Sequence, residues 1–139
     1  IRVADGDAGL GDLKRLIDTL SPLRRLSTSF RFEPGQTRLD AQSRSNVQQL
    51  ARAMEAGIYD GRKLMFVGFS DGEGPADGNL RIARERAQAV KLAVENAVEA
   101  SNLSQVVLTT DAFGEAMPMA CDDTSWGRQV NRRVEVWVR

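Results

Sequence analysis

Residues 64–90, LMFVGFSDGEGPADGNLRIARERAQAV, decide how the rest of the chain is arranged. A hydrophobic strand (Leu64 to Phe69) runs into a Gly/Pro/Asp loop (Ser70 to Gly78) and then into a long helix expected to open near Asn79. The strand is apolar on both faces, which predicts an inner strand of the sheet. Asp71 sits just past the strand end, and Arg86 lies fifteen positions later, about 10 Å along the helix axis at 1.5 Å per residue. Helical side chains lean towards the N-terminus, so a long arginine there reaches back to the loop. The spacing predicts that Asp71 and Arg86 share one cleft, suited to a small ligand carrying both charges. Asn79 is read as an N-cap, its side-chain oxygen satisfying an orphan amide where the helix dipole adds partial positive charge.

Outward from this stretch, periodicity supplies the other elements. Ser27 to Phe32 alternates polar and apolar residues as a first strand, broken by the turn formers Glu33, Pro34 and Gly35. A helix is expected from about Asp40, with Val47, Leu50, Ala51, Met54 and Ile58 as its apolar stripe and Gly57 near its C-cap. The helix of the central stretch turns Ala83, Ala87, Val90, Val94 and Ala97 or Val98 inward and is expected to end near Ser101 and Asn102. Val106 to Leu108, extendable to Phe113, is a third strand. Val134, Val136 and Val138 alternate with Glu135, Trp137 and Arg139 as a fourth, one face inward and the other more exposed. The order β-α-β-α-β-β predicts an α+β sandwich with two main helices on one face of a sheet. Leu10, Leu13, Leu16, Ile17 and Leu20 recur at helical spacing before Pro22, which makes residues 1–26 an extension whose short amphipathic helix either packs on the domain of residues 27–139 or ends a preceding one.

Composition removes several functions. The 139 residues are 42% hydrophobic and 27% charged, with formal net charge zero and charges interspersed along the chain, so no basic stripe is expected and nucleic acid is not an expected partner. No run approaches the roughly 18 apolar residues that cross a bilayer, so no membrane span is expected. The first residue is Ile1, which suggests a piece of a longer protein. There is no histidine, which rules out Ser-His-Asp and Cys-His catalysis. Gly68 to Gly72 spells G-x-S-x-G, but a nucleophile elbow needs a helix directly after its serine and a histidine base, and this chain offers neither. Asp71, Glu73 and Asp77 do not reproduce a calcium-loop spacing. Cys121 is the single cysteine, which leaves no internal disulfide.

A sequence of the form G-x-S/T-D-x-x-G followed by N-x-x-L-S/A-x-x-R-A-x-x-V is present as Gly68, Ser70, Asp71, Gly74, Asn79, Ile82, Ala83, Arg86, Ala87 and Val90. Near the C-terminus, GRQVNRRVEVWV (Gly127 to Val138) supplies an N-R-R-V-E entry into the last strand. Together these resemble the peptidoglycan-associating OmpA-like domain, over roughly Ser27 to Arg139; Ser70 replaces the commoner Thr, and Ile82-Ala83 stands where Leu-Ser is usual. The resemblance implies a mixed four-stranded sheet and a non-catalytic module without cofactor. It implies that Asp71 holds the ammonium, and Arg86 the carboxylate, of meso-diaminopimelate in peptidoglycan stem peptides. Ser70 belongs to the same motif, and Arg132, the first Arg of N-R-R, is implied to line the pocket. Asn79 is a cap on one reading and a pocket residue on the other. Gln36 and Thr37, in the loop after the first strand, are rim candidates, Arg133 a candidate for an outer salt bridge, and Trp137 a cover for the sheet or a partner surface. The implied location is the periplasm of a Gram-negative envelope, at the C-terminal end of a larger envelope or outer-membrane protein. The alternative is a docking or homodimer module of the envelope that does not bind the wall.

Overall fold

Strand β2 (Lys63–Phe69) sends Leu64 and Phe66 to one side of a sheet and Met65, Val67 and Phe69 to the other, and both sets find cover. The computed structural model describes residues 14–32, 36–69, 76–114 and 132–139. Its other strands are β1 (Arg24–Arg31), β3 (Val107–Gly114) and β4 (Arg133–Val138), in the spatial order β1-β4-β2-β3. β4 is antiparallel to β1 and to β2, while β2 and β3 run parallel, so the sheet is mixed. The α+β architecture and the two helices on one face are as expected; β1 starts at Arg24, three residues before Ser27, and β3 runs on to Gly114.

On the inner face lie α2 (Ala41–Glu55) and α3 (Ala76–Ala97). The Asp40 carboxylate caps α2 by accepting from the Ser43 amide at 2.7 Å, and the Ser43 hydroxyl accepts from the Arg31 amide, fastening the helix start to β1. Val47, Leu50, Ala51 and Met54 recur at i, i+3, i+4 and i+7 and are buried against Phe30, Leu64, Phe66, Val134 and Val136. Gly57, at φ +83°, ends the helix; Ile58 falls beyond it and is exposed, so it is not part of the stripe. Ala83, Ala87, Val90 and Val94 bring α3 onto β2, close enough that a Cβ on Gly68 would collide with the Ala83 carbonyl. The glycine is there because two backbones meet. α3 stops at Ala97, short of the expected Ser101, and a separate turn, α4, spans Ala100–Leu103.

The outer face is also covered. Residues 14–20 form a helix, α1, whose Leu16 and Leu20 pack with Val67, Phe69 and Phe113, while Ile17 points outward. The short amphipathic helix therefore packs on the sheet. This overturns the expectation that β4 leaves one face towards solvent: Glu135 is buried and Trp137 half-buried beneath α1. Leu10, Leu13 and Cys121 lie outside the described residues. Among the described residues, no helix is long and apolar enough to cross a membrane.

Candidate functional site

The pairings bring the C-terminal ends of β1, β2 and β3 and the start of β4 to one end of the sheet. Arg86, on the buried face of α3, is 1% exposed. Its Nε donates to the Gln36 carbonyl at 2.9 Å, and its guanidinium lies 5.4 Å from the centre of the Phe32 ring. Arg132, immediately before β4, is 5% exposed and directs its Nε at the Phe32 carbonyl at 3.4 Å. Two buried guanidinium groups thus meet around one residue. Guanidinium is more weakly hydrated than ammonium and stacks on aromatic faces, which makes arginine the cation best suited to such a place. The loop limb that receives Arg86 is itself fixed, because Phe32 bridges to Leu39 and the Asp40 amide donates to the Arg31 carbonyl.

Asn79 lies seven residues before Arg86, on the same face of α3 as Ala83 and Arg86, and is buried. It is not the N-cap. α3 opens at Ala76, so Asn79 sits within the first turn, and Arg86 is about 15 Å along the axis from the helix start rather than about 10 Å. The signal for the earlier start was Pro75, whose fixed φ suits the opening of a helix, followed by Asp77 in the first turn. Thr37 is exposed and faces a groove between α2 and α3 that Arg86 and Arg132 do not line. Ser70 and Asp71 lie outside the described residues. Of the six expected site residues, the described structure brings Arg86 and Arg132 together and sets Asn79 on the helix face that carries Arg86. Phe32 and the Gln36 carbonyl were not anticipated as the fixtures of both arginines. Phe32 reads locally as a core residue, and a backbone acceptor has no signature in a sequence.

On the outer face the same end of the sheet carries a different construction. Arg133 stands over the Phe69 ring at 4.1 Å and donates its Nε to Glu135 at 2.7 Å, and the Trp137 indole donates to the other Glu135 oxygen at 3.1 Å. Arg133 therefore forms the expected salt bridge, and Trp137 covers the sheet. Burial lowers the Arg133 pKa, and the Glu135 carboxylate opposes that shift. Among the described residues no group of three or more His, Cys, Asp or Glu is placed to hold a metal ion.

A mixed sheet with two helices on one face and arginines gathered at the strand ends defines an α+β module of recognisable type. The chain belongs to the OmpA family, whose model matches residues 31–132. It is 33% identical over 85 residues to the probable lipoprotein YiaD of Escherichia coli (strain K12), covering 60% of this chain and 36% of that protein. It is 30% identical over 115 residues to outer membrane porin F of Pseudomonas fluorescens, covering 82% of this chain and 33% of that protein. The chain thus spans about a third of the length of the curated relatives it matches. The fold is shared with the peptidoglycan-associated lipoprotein from Burkholderia pseudomallei, at TM-score 0.66 and 22% identity over 80% of this chain and 89% of that one. It is shared also with the cell wall anchor of the T6SS from Pseudomonas aeruginosa, at TM-score 0.59 and 20% identity over 99% and 96% of the two chains.

Proposed function

We propose that this chain binds peptidoglycan non-covalently through the meso-diaminopimelate of its stem peptides, and so anchors a longer envelope protein to the wall of a Gram-negative cell from the periplasmic side. The observation that carries this reading is the pair of buried arginines, Arg86 and Arg132, held around Phe32 at the end of the sheet. Each is oriented through Nε by a neutral carbonyl, and the planar fork of a guanidinium matches a carboxylate with two parallel hydrogen bonds. Arg86 takes the distal carboxylate, Arg132 lines the same pocket, and Asp71 takes the ammonium; Ser70 and Asn79 complete the contact, and Thr37 follows directly on the Gln36 carbonyl that receives Arg86. Residues 27–139 carry the binding site, and residues 1–26 are its N-terminal extension, whose α1 packs on the sheet and whose last three residues belong to β1. No bond is made or broken. Names among the relatives, a peptidoglycan-associated lipoprotein and a cell wall anchor, support the same reading.

Lysine keeps the ammonium of diaminopimelate but lacks its distal carboxylate, so specificity is a difference between two affinities. Charged hydrogen bonds contribute about 1.5 to 3 kcal/mol each against an association cost of roughly 4 to 15 kcal/mol, which sets single-site affinity in the micromolar to millimolar range. The test is an NMR titration of the labelled domain with free meso-diaminopimelate beside lysine, repeated on Arg86→Lys and Asp71→Ala. Saturable shifts at Asn79, Arg86 and Arg132 with diaminopimelate alone, lost in both variants, are expected. Equal responses to the two amino acids, or none to diaminopimelate and to whole sacculi, would overturn the proposal.

A further inference from the structure

The loop limb that holds Arg86 continues into a second feature. At Gln36 the backbone carbonyl receives Arg86, and three residues on, at Leu39, the carbonyl receives the Nη1 of Arg44 at 2.8 Å. Two guanidinium groups are therefore fastened to the two ends of one short run of chain, which spans at most about 10 Å at ~3.3 to 3.6 Å per residue. Beyond that limb lies a groove of about 500 Å³ between α2 and α3. Its base is apolar and small in side chain: buried Val47, with half-buried Leu39, Ala89 and Ala93. The residues at its rim, Thr37, Arg38, Arg44 and Gln48, are exposed and polar, and two of them are cations. Alanines at the base let an extended backbone lie close to α3, one turn beyond Arg86.

We infer that this groove is a second subsite, which takes the peptide adjoining the diaminopimelate and reads one of its free carboxylates with Arg44 and Arg38. The inference rests on the diaminopimelate reading given above. The occupant follows from chemistry. A stem peptide carries free acids beside its diaminopimelate, either the α-carboxylate of the γ-linked glutamate before it or the carboxylate of the alanine after it. The distal carboxylate of an extended diaminopimelate and an acid on the adjoining residue are separated by about the length of the limb between Gln36 and Leu39. A ligand seated on Arg86 by its side chain thus presents its next acid to the arginine rim, over an apolar base that suits the methyl and methylene groups between them. The groove selects for a wall peptide over the free amino acid, a specificity that the pocket at Arg86 alone does not supply.

Calorimetric titration of the whole chain tests this with four ligands: free meso-diaminopimelate, diaminopimelyl-D-alanine, L-alanyl-γ-D-glutamyl-diaminopimelate, and the last with its glutamate α-carboxylate amidated. At least one of the acidic peptides should bind about tenfold tighter than free diaminopimelate, the gain of one charge-assisted hydrogen bond. Comparing the two peptides, and the amidated form, identifies which acid is read. In the double variant Arg38→Gln, Arg44→Gln the gain should vanish while the affinity for free diaminopimelate stays as in the wild type. Equal affinity for free diaminopimelate and every peptide would overturn the subsite and leave the diaminopimelate reading standing, as would a gain that the double variant keeps. Absence of binding by all four ligands would overturn both.

Discussion

Arg132 and Arg133 are neighbours in the chain, both are buried, and they serve opposite faces of the sheet. On the outer face, Arg133 meets Glu135, which a strand's two-residue period places on its own side, and Arg25 of β1 approaches the same carboxylate at 3.6 Å. Phe69, Trp137 and α1 then close over the pair. On the inner side, Arg86 directs its Nε at the Gln36 carbonyl and Arg132 its Nε at the Phe32 carbonyl. Burial of an arginine is common to both constructions and says little by itself. What separates them is where the partner comes from: Arg133 meets a carboxylate two positions away on its own strand, whereas Arg86 and Arg132 are held by carbonyls that a distant part of the chain brings to them.

The strongest way to break this contrast is to remove Glu135. Glu135→Ala takes the carboxylate away from the buried Arg133 guanidinium, and loss of one partner of a buried pair costs about 3 to 5 kcal/mol. The pull of burial on the Arg133 pKa would then act with its principal opposition gone. Urea unfolding should register that loss, while the folded fraction keeps its response to diaminopimelate. A loss below about 1 kcal/mol, the range of surface pairs, would mean that the outer network is solvated and the contrast false.

Gly68→Ala sharpens the comparison from the inner side. The new Cβ collides with the Ala83 carbonyl, which is backbone and cannot swing aside, so α3 must move off β2. Overpacking of this kind costs about 1 to 3 kcal/mol. Unlike the change at Glu135, it should also weaken diaminopimelate binding, because α3 carries Asn79 and Arg86. Stability lost with binding unchanged would detach the helix position from the site.

These two residues also mark what was legible in the sequence. The inner face was readable because it is written locally: Val47, Leu50, Ala51 and Met54, or Ala83, Ala87, Val90 and Val94, declare one helical stripe each, and the Val134, Val136, Val138 alternation declares a strand. The family motif then named Arg86 and Arg132. The outer face was misread because its cover comes from far away in the chain. Glu135 and Trp137 look solvent-facing until Leu16 and Leu20 arrive from more than a hundred residues upstream, and no local period encodes that meeting. The helix start was misjudged for a different reason: Asn79 is a good cap by type, but Pro75, four positions earlier, and Asp77, two positions earlier, favour an opening ahead of it.

The smallest expected effect tests how tightly the outer cover is bound. Arg15 reaches from α1 to the end of β3, where Nη1 pairs with both Asp111 oxygens at 3.1 and 3.2 Å, Nη2 donates to the Ala112 carbonyl at 2.7 Å, and the group lies 4.1 Å from the Phe113 ring centre. The contact looks extensive, yet the Arg15 side chain is 46% exposed, and exposed pairs and cation–π contacts are each worth about 0.5 to 1 kcal/mol. Arg15→Ala should therefore lower global stability by only about 1 kcal/mol. Its effect should be local: faster amide exchange across α1, with α2 and α3 unchanged, because Leu16 and Leu20 still hold the helix to Phe69 and Phe113. Diaminopimelate binding should be indifferent to the change. If binding fell instead, the stacked Phe113 and Phe69 rings, 6.1 Å apart, would be transmitting the position of α1 to the end of β2, and the two faces would have to be treated as one device.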